Sequence, residues 1–269
     1  MNLSSLLNEV RHKQPLVHHI TNWVTIYDCA AIVKSLGASP VMSHAKEEVA
    51  EMTSRFAAAL VLNIGTLTID IIEAMLLSSQ AANQKNIPVV LDACGAGATA
   101  MRTEQSWHLL KNVKISILKG NSSEIASISG AKIHTRGVDA VEVKQDLTKL
   151  ARDLAQSLNL TVVITGQEDI IADQWGQLFL VNNGHPVMAK VVGTGCMATS
   201  VIGCFAAVSK DFAQAATAAM SFFGICGELA AQKSSLPGTW KQYLFDICAE
   251  LSSQDFEKQA KIQVKQAIV

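Results

Sequence analysis

Two glycines, a hydroxyl and a thiol follow one another in Gly193-Thr194-Gly195-Cys196. Because glycine adopts backbone angles that other residues avoid, such a turn lets several N–H groups converge on one point. The small and apolar residues over 196–207 predict a buried helix that begins at this turn. The first turn of a helix has unpaired N–H donors and a partial positive charge, which favour an anion. The thiol therefore indicates phosphate chemistry or a nucleophile, and the structural alternative is a glycine-rich turn at a helix start.

A carboxylate is expected at the tip of a buried strand. Asp92 comes directly after the apolar run 88–91 and shortly before the glycine-rich segment 95–99. In that place a carboxylate can hold Mg²⁺ through water, beside the phosphates of a substrate. The alternative is that Asp92 caps the turn or helix that follows it. The sequence is equally compatible with both interpretations.

The segment Lys119-Gly120-Asn121-Ser122-Ser123-Glu124 follows the next predicted strand. The ammonium group of Lys119 can pair with a polyphosphate. Asn121 followed three residues later by Glu124 fits a capping box, which explains Glu124 without any ligand. The functional alternative makes Glu124 a second carboxylate that organises Mg²⁺ or its waters near Asp92. Both roles can hold together, because carboxylates of metal sites often accept local backbone hydrogen bonds.

Three other positions have a functional and a structural interpretation. The hydroxyl of Thr165 can contact a nucleotide phosphate, although a simple strand-to-hairpin turn explains Thr165-Gly166 equally well. The amide of Asn22 can donate to and accept from a small polar ligand, or it can cap the helix that follows. The thioether of Met42 packs well on a flat heterocycle, while filling of the core is the usual role of a methionine.

Composition excludes several classes of protein. The 269 residues are 49% apolar and 17% charged, with a formal net charge of −1, which gives no electrostatic case for a nucleic-acid or membrane partner. The sequence opens without a signal-peptide pattern, and no apolar run is long enough to span a membrane. The six cysteines lack Cys-x-x-Cys spacing, so neither a zinc site nor a disulfide framework is predicted. We expect a cytoplasmic protein.

Apolar runs alternate with amphipathic helical patterns, which is typical of βαβ units and a mainly parallel sheet. The predicted buried strands cover 58–63, 88–92, 115–119 and 160–165. An antiparallel hairpin is predicted from 178–182 and 186–189, with a turn at Asn183-Gly184. The predicted helices cover 25–36, 47–56, 68–86, 122–129, 146–158, 196–207, 213–233 and 237–251. Because no linker or repeat divides the sequence, we expect 1–269 to form one domain.

In an open α/β sheet, ligands bind outside the carboxyl ends of the strands. The four predicted strands end in the polar residues Asn63, Asp92, Lys119 and Thr165. Together with the turn before Cys196, these residues are expected to form one polar rim above an apolar sheet. The P-loop pattern and the dinucleotide-binding glycine pattern are both absent from the sequence, so a nucleotide would be bound in another way.

Six motifs in this order resemble the hydroxyethylthiazole kinase family of the ribokinase-like superfamily, over nearly the whole chain. They are Ile20-Thr21-Asn22, Gly37-Ala38-Ser39-Pro40-Val41-Met42, Asn63-Ile64-Gly65-Thr66-Leu67-Thr68, Val90-Leu91-Asp92 with Gly95-Ala96-Gly97-Ala98-Thr99, Lys119-Gly120-Asn121-Ser122-Ser123-Glu124-Ile125 and Gly193-Thr194-Gly195-Cys196. The resemblance implies a three-layer α/β/α sandwich of the ribokinase-like type. It also implies transfer of the γ-phosphoryl group of ATP to the primary alcohol of 4-methyl-5-(2-hydroxyethyl)thiazole, in a ring-shaped homotrimer with the thiazole site between subunits.

The resemblance also implies a role for each matching residue, in a reaction that uses Mg²⁺. The thiol of Cys196 would take the place of the catalytic aspartate of related sugar kinases, and the N–H groups of the turn would stabilise charge on the transferred phosphoryl group. The implied site residues are Cys196, Gly193, Thr194 and Gly195 for catalysis, Asn22, Met42 and Gly193 for the thiazole, Lys119, Asn121 and Thr165 for ATP, and Asp92 and Glu124 for the metal.

The chain departs from the family pattern at several positions. Ala93-Cys94 stands where Pro-Val is usual, and Tyr27 and Ala31 stand where the first helix usually carries asparagines. Lys119 stands where arginine is common, which keeps the charge but removes a bidentate hydrogen-bonding group. The nucleotide and anion motifs therefore match the family better than the acceptor side does.

Three other functions are compatible with the sequence. The chain could phosphorylate another small alcohol, such as a hydroxymethylpyrimidine or a sugar. It could be an acyltransferase or hydrolase with Cys196 as the nucleophile and His185 as the base. It could also be a non-catalytic thiazole or nucleotide binder whose site has changed at Tyr27, Ala31 and Ala93.

Overall fold

The computed structural model describes residues 2–130 and 140–265, with the backbone alone over 140–146. The described helices are α1 (Leu3–Lys13), α2 (Ile26–Leu36), α3 (Val49–Phe56), α4 (Ile69–Lys85), α5 (Ala100–Asn112), α6 (Ser122–Ser129), α7 (Ala140–Leu158), α8 (Thr194–Ala206), α9 (Phe212–Lys233), α10 (Pro237–Glu250) and α11 (Ser253–Gln259). The described strands are β1 (Leu16–Ile20), β2 (Ser39–Val41), β3 (Ala59–Asn63), β4 (Val89–Asp92), β5 (Ile117–Asn121), β6 (Thr161–Thr165), β7 (Asp169–Ala172), β8 (Leu178–Val181) and β9 (Ile262–Lys265).

These strands form one sheet in the order β2-β1-β3-β4-β5-β6-β7-β8-β9. Neighbours from β2 to β6 pair in parallel, and β6 to β9 pair antiparallel. Residues of α1, α2, α8, α9 and α10 form an apolar core on one face of the sheet, whereas α4, α5, α6 and α7 cover the other face. The predicted three-layer α/β/α sandwich with a mainly parallel sheet is confirmed.

The central strands are apolar on both faces because each face is covered by helices. In β3 all five residues are buried. Val61 packs in the core shared with α8, and Leu60 and Leu62 pack in the core shared with α4. Side chains of a strand alternate between its two faces. A continuous apolar run therefore predicts a strand buried inside a layered sandwich.

Local signals set several of the helix ends. The hydroxyl of Thr68 accepts a hydrogen bond from the N–H of Ile71 at the start of α4. Gly37 ends α2 with a φ of 105°, a left-handed conformation in which glycine is favoured. The predicted helix 122–129 coincides with α6. The predicted end of the helix 25–36 at Gly37 is confirmed in α2. Within the described part of the chain, none of the helices is both long and apolar enough to cross a bilayer.

The predicted hairpin is wrong. The strand β8 pairs with β7 and β9, and the residues after it do not return as a strand. Instead Pro186–Lys190 forms a 3₁₀ helix, and His185 caps it by accepting a hydrogen bond from the N–H of Val187. Proline lacks the N–H that a sheet ladder requires and fits the first position of a helix.

Several elements were not predicted from the sequence, among them β1, β7, β9, α1, α5 and α11. The pattern of β1 is interrupted by His18 and His19, yet both are buried, and His18 forms hydrogen bonds with the hydroxyl of Thr53 and the carbonyl of Ser43. The helix α5 buries little more than Ser106 and Leu109, so its apolar periodicity is weak. The fifth strand begins and ends two residues later than the predicted 115–119.

Candidate active site

The pairing register places the polar strand ends side by side. Asn63 lies opposite Asp92, Asp92 lies opposite Lys119, and Asn121 lies opposite Thr165. Because these pairs are parallel, all five residues lie at the carboxyl edge of the sheet, where α/β folds bind their ligands. The structure confirms that the predicted rim occupies one edge.

Asp92 is anchored by side chains from three elements and is 1% exposed. Its Oδ2 accepts hydrogen bonds from Asn63 Nδ2 at 2.9 Å, from Lys119 Nζ at 3.3 Å and from Thr199 Oγ1 at 2.7 Å. None of these donors is a backbone N–H, so Asp92 does not act as a cap in these contacts. Its Oδ1 is buried and has no hydrogen-bond partner among the described residues. A buried carboxylate oxygen without a donor is costly, which indicates that Oδ1 is available to a ligand.

Lys119 connects the sheet to the turn before α8. Its Nζ donates to the carbonyl of Gly195 at 3.1 Å as well as to Asp92, and the residue is 4% exposed. Burial acts to lower the pKa of this ammonium group, but the negative charges of Asp92 and Glu124 outweigh it, and the pKa of Lys119 is raised. Lys119 therefore stays protonated and carries a fixed positive charge within the rim.

The glycine turn at the start of α8 leaves N–H groups without a side-chain cap. Gly193 has a φ of 92°, and a Cβ at this position would lie 2.6 Å from Cγ2 of Thr25, so a larger residue does not fit. No side chain caps the helix at Gly193, so the N–H groups of the first turn can bind an anion. The hydroxyl of Thr194 donates to the carbonyl of Met188 at 2.9 Å, which leaves its backbone N–H as the group that can face a ligand.

The sulfur of Cys196 receives hydrogen bonds from neighbouring side chains. Asn22 Nδ2 and Asn63 Nδ2 each lie 3.3 Å from it. The Cys94 thiol lowers the pKa of Cys196 to about 6, against the opposing effect of burial. The Cys196 thiol and burial raise the pKa of Cys94. Cys196 is therefore the more acidic thiol of the pair and is largely a thiolate at neutral pH.

The side chain of Asn22 links the turn before α2 to the predicted catalytic thiol. Its Oδ1 accepts hydrogen bonds from the N–H and the hydroxyl of Thr25, which orders the turn before α2. Its Nδ2 donates to Asn63 Oδ1 at 3.1 Å and to Cys196. The structure thus places Asn22, 4% exposed, in direct contact with the predicted catalytic thiol.

Asn121 and Glu124 form the predicted capping box. Asn121 Oδ1 accepts from the N–H of Glu124, and Glu124 Oε2 accepts from the N–H of Asn121 at 2.7 Å. Glu124 Oε1 also accepts from the N–H of Gly95 at 2.8 Å. The carboxylate of Glu124 therefore joins the glycine-rich segment after β4 to the start of α6, and it lies near enough to Lys119 to raise its pKa.

The Thr165-Gly166 turn is held by a buried carboxylate. The N–H of Gly166 donates to Asp169 Oδ1 at 3.0 Å, and the hydroxyl of Thr165 donates to the carbonyl of Gly120 at 3.4 Å. Burial raises the pKa of Asp169 to about 7, against the lowering effects of the Gly166 N–H and the charge of Lys119. Asp169 fixes the shape of a turn at the same edge as Lys119.

Met42 is half-buried and directly follows β2. Since β2 pairs in parallel with β1, with Val41 opposite His18, Met42 lies at the same edge of the sheet as Asn22. No described hydrogen bond or ring contact involves Met42, so its role toward a thiazole stays a prediction.

The sequence analysis assigns no chemical role to two residues of the site. Thr199 lies within the predicted apolar helix, and its hydroxyl binds Asp92. Asn63 is expected on the polar rim, and its amide joins Asp92, Asn22 and Cys196. Thr199 lies one helical turn after Gly195, and residues four apart share one helix face. A hydroxyl at that position in an otherwise apolar helix is the sequence signal that identifies Thr199.

The residues at the rim fit a magnesium ion held mainly through water and phosphate oxygens. The free Oδ1 of Asp92 is a hard oxygen donor of the kind that Mg²⁺ prefers. In the ranges 2–130 and 147–265, no cluster of three or more histidine, cysteine, aspartate or glutamate side chains is arranged to hold a metal by itself. Mg²⁺ typically keeps several waters and is bound by one or two carboxylates beside phosphates. Asp92 with Glu124 nearby matches that chemistry.

No histidine among the described residues is hydrogen-bonded to Cys196. The donors within hydrogen-bond distance of its sulfur are Asn22 and Asn63. His185 instead caps the 3₁₀ helix through Val187. The histidine base that an acyltransferase or hydrolase needs is therefore not at the thiol in the described structure.

Comparisons with known proteins give a consistent result. The model of the hydroxyethylthiazole kinase family matches residues 7–254. A hydroxyethylthiazole kinase of Methanosarcina mazei is 51% identical over 257 residues, which is 96% of this chain and 98% of the relative. The solved structure of a hydroxyethylthiazole kinase from Pyrococcus horikoshii superposes with a TM-score of 0.90 at 36% identity, over 98% of this chain and 99% of that one. A ribokinase-like superfamily protein from Enterococcus faecalis, 17% identical, shares the fold with a TM-score of 0.65 over 92% of this chain and 89% of that one.

Proposed function

The chain belongs to the hydroxyethylthiazole kinase family and is an ATP-dependent phosphotransferase; on this premise we propose how its residues carry out the reaction. The phosphoryl donor is ATP, the acceptor is the primary alcohol of 4-methyl-5-(2-hydroxyethyl)thiazole, and the reaction serves thiamine salvage. The observation that carries the proposal is the meeting of Asp92, Lys119 and the uncapped start of α8 at one edge of the sheet.

Phosphoryl transfer depends on positioning and charge stabilisation more than on covalent chemistry. We assign the N–H groups of Gly193, Thr194 and Gly195, with the helix dipole behind them, to the negative charge that develops on the transferred group. This assignment is supported by the absence of a side-chain cap at the start of α8. Lys119, tied to the carbonyl of Gly195, keeps this turn next to the strand ends.

We assign ATP to the side of the rim formed by Lys119, Asn121 and Thr165. The raised pKa of Lys119 keeps its positive charge, which suits a polyphosphate. The side-chain Oδ1 of Asn121 accepts a hydrogen bond within the capping box. Asn121 therefore contributes to ATP binding by setting the shape of the turn between β5 and α6. Asp169 holds the Gly166 turn beside Thr165, which keeps that part of the rim in place.

Asp92 and Glu124 are the residues that would hold Mg²⁺. When bound, the metal supplies positive charge to the phosphate oxygens of ATP. Asp92 offers its unpaired Oδ1, while Asn63, Lys119 and Thr199 orient the carboxylate through hydrogen bonds to Oδ2. Glu124 already accepts two backbone N–H bonds, so it would act on the metal through water.

Cys196 is proposed to accept the proton of the acceptor alcohol. The amide donors of Asn22 and Asn63 point at its sulfur, and its pKa is lowered to about 6, which is the environment of a thiolate. The acceptor then lies beside Asn22, Met42 and Gly193. Because the alcohol is deprotonated late in a loose transition state, this base contributes less than the charge stabilisation by the turn.

We further propose that the chain acts as one domain and assembles as a homotrimer with its sites between subunits. A group of exposed apolar residues adjoins the site: Trp23, Val24 and Tyr27 at the start of α2, the last of them 79% exposed, and Val192 just before Gly193. The start of α2 and the glycine turn touch, since a Cβ on Gly193 would meet Thr25. An exposed apolar patch beside a ligand site favours an interface. Location in the cytoplasm stays a prediction.

The proposed activity is tested by ADP release in a coupled assay with ATP, Mg²⁺ and a panel of alcohols. Hydroxyethylthiazole is expected to give the highest kcat/KM, above a hydroxymethylpyrimidine and ribose. Preference for one of those alcohols would assign the chain to another small-alcohol substrate. Binding of hydroxyethylthiazole in a calorimeter without ADP release would instead favour a non-catalytic binder and contradict the proposal. Light scattering of the same sample tests the trimer, which a monomeric mass would overturn.

A further inference from the structure

A single guanidinium group joins two of the segments that follow the strands at the rim. Arg102 lies in the first turn of α5 and is half-buried. Its Nη1 donates to the carbonyl of Ile64 at 2.8 Å and to that of Cys94 at 3.1 Å, and its Nη2 donates to the carbonyl of Gly65 at 2.7 Å. Ile64 and Gly65 follow β3, whereas Cys94 follows β4. Arg102 therefore fixes the separation between these two segments.

The segment after β3 leads to the acceptor side of the site. The N–H of Gly65 donates to Asn63 Oδ1 at 2.8 Å, and the same oxygen accepts a hydrogen bond from Asn22 at 3.1 Å. The packing is close, since a Cβ on Gly65 would lie 2.9 Å from Asn63 Oδ1 and 3.0 Å from Cβ of Asn22. The amides of Asn22 and Asn63 both donate to the sulfur of Cys196. A shift of Gly65 would therefore reach the proposed base.

The segment after β4 leads to the metal side of the site. Cys94, whose carbonyl binds Arg102, comes two residues after Asp92. The N–H of the next residue, Gly95, donates to Glu124 Oε1 at 2.8 Å. The guanidinium packs against this segment, because a Cβ on Gly95 would lie 3.0 Å from Nη1 of Arg102. Arg102 is thus in contact with the segment that joins the two carboxylates assigned to Mg²⁺.

The contacts of Arg102 depend on the shape of its side chain. The acceptors of its described side-chain hydrogen bonds are backbone carbonyls, and no salt bridge within the described part of the chain includes it. A planar guanidinium has five N–H donors in a rigid arrangement, whereas the ammonium of a lysine is a compact point charge. A guanidinium can therefore bind both segments at once in a way that an ammonium cannot.

We propose that Arg102 is a positioning residue of phosphoryl transfer, which holds the acceptor side and the metal side of the site at a fixed separation. The inference rests on the proposed function, because that function defines the two sides. Reacting groups must be closely aligned, and a misplacement of about 1 Å can lower a rate by about a hundredfold. Arg102 acts through the segments at Gly65 and Cys94, without touching ATP or the alcohol.

The experiment compares steady-state ADP release by the whole purified protein and three variants. Arg102→Met removes the guanidinium and keeps an unbranched side chain, whereas Arg102→Lys keeps the positive charge but loses the planar group. The matched control is Arg11→Met. Arg11 is also half-buried and also donates to backbone carbonyls, those of Cys248 in α10 and Leu251 at its end, which are not part of the rim. The fold of each protein is checked by circular dichroism and urea denaturation.

Both Arg102 variants should lose at least about tenfold in kcat, with the KM for ATP within about twofold of the unmodified value. Arg11→Met should unfold at a lower urea concentration but keep its kcat. An unchanged kcat in Arg102→Met would overturn the proposal. A full rate in Arg102→Lys, with a raised KM for ATP in Arg102→Met, would overturn it in favour of a simple charge. Loss of the folded spectrum in both Arg102 variants, or an equal fall of kcat in Arg11→Met, would show a purely structural role and also overturn it.

The assay uses the alcohol that the unmodified protein phosphorylates fastest. Preference for an alcohol other than hydroxyethylthiazole would correct the proposed acceptor and leave the comparison of the variants intact. Failure of the unmodified protein to release ADP would overturn the proposed function, and the positioning role with it. A normal kcat in the Arg102 variants beside an active unmodified protein would overturn the positioning role alone.

Discussion

The hydroxyl of Thr199 lies 2.7 Å from Oδ2 of Asp92, although the two residues are 107 positions apart in the sequence. A hydroxyl donates one proton, and the short distance assigns that proton to the carboxylate rather than to the carbonyl of Gly195 at 3.1 Å. The bond ties the helix α8 to the tip of β4. The start of α8 and the carboxylate of Asp92 are thereby kept in register with each other.

Replacement of Thr199 by valine should therefore weaken the site. Thr199→Val keeps the shape of the side chain but removes a donor to a buried carboxylate, which costs about 1.5–3 kcal/mol of unfolding free energy. We expect kcat to fall about tenfold, measured by ADP release. Thr199→Ser keeps the hydroxyl and should stay close to the unmodified rate. Equal rates for all three proteins would show that Thr199 does not position Asp92.

We predict that the Mg²⁺-dependent activity requires the carboxylate of Asp92. Asp92→Asn keeps the size of the side chain but removes the charge and one hard oxygen donor. We expect a loss of about a hundredfold or more in kcat, with the folded circular-dichroism spectrum retained. The dependence of the residual rate on Mg²⁺ concentration should also weaken. An unchanged Mg²⁺ titration would argue against a metal role for Asp92.

Substitutions of Cys196 distinguish a base from a simple helix-start residue. Asn22 and Asn63 both point N–H donors at this position, so an anionic acceptor suits it. Cys196→Asp should retain activity, Cys196→Ser should slow turnover, and Cys196→Ala should slow it more, by about a hundredfold if the residue acts as a general base. The readout is kcat at saturating substrate. A fully active alanine variant with an inactive aspartate variant would contradict the assignment.

The reactivity of Cys196 should change with pH in the acidic range. The Cys94 thiol lowers the pKa of Cys196 to about 6, and the thiolate is the form that is alkylated. Modification by iodoacetamide, followed by peptide mass, should speed up as pH rises toward 6 and level off above about pH 7. Burial raises the pKa of Cys29 to about 11, so Cys29 is the internal control and should stay unmodified. A rate that still rises steeply above pH 8 would show an ordinary thiol, at odds with the structure.

Asp169 should make the protein less stable as pH rises. Burial raises its pKa to about 7, while in the unfolded chain the carboxyl ionises near pH 4. Between these values the folded state holds a proton that the unfolded state has lost, so the unfolding free energy falls from about pH 4 to about pH 7 and stays lower above it. Asp169→Asn removes this loss and can still accept the N–H of Gly166.

Urea denaturation should then show that Asp169→Asn is more stable than the unmodified protein at pH 8, by at most about 4 kcal/mol. The difference should shrink toward zero near pH 4. The matched control is Asp153→Asn, because Asp153 is exposed. A gain for Asp169→Asn that is the same at both pH values would rule out ionisation as its cause.

Part of this site follows from short-range sequence patterns. The apolar runs that end in Asn63, Asp92 and Lys119 predict parallel strands, and parallel strands bring their carboxyl ends to one edge. The capping box of Asn121 and Glu124 involves residues three positions apart. The left-handed turn at Gly193 is likewise a local property of glycine. Each of these features depends on neighbours in the chain, so the sequence by itself determines it.

The contacts that make the rim into a site were decided by the tertiary structure. Asn22 reaches Cys196 across 174 positions, and Asn63 reaches it across 133. Which face of α8 meets β4 depends on how two apolar cores pack on opposite sides of the sheet, and apolar periodicity does not encode the orientation of one hydroxyl. The same packing left Oδ1 of Asp92 without a hydrogen-bond partner among the described residues. Hydrophobic burial is non-directional, so it fixes the layers, while the polar contacts between the layers emerge only once those layers are assembled.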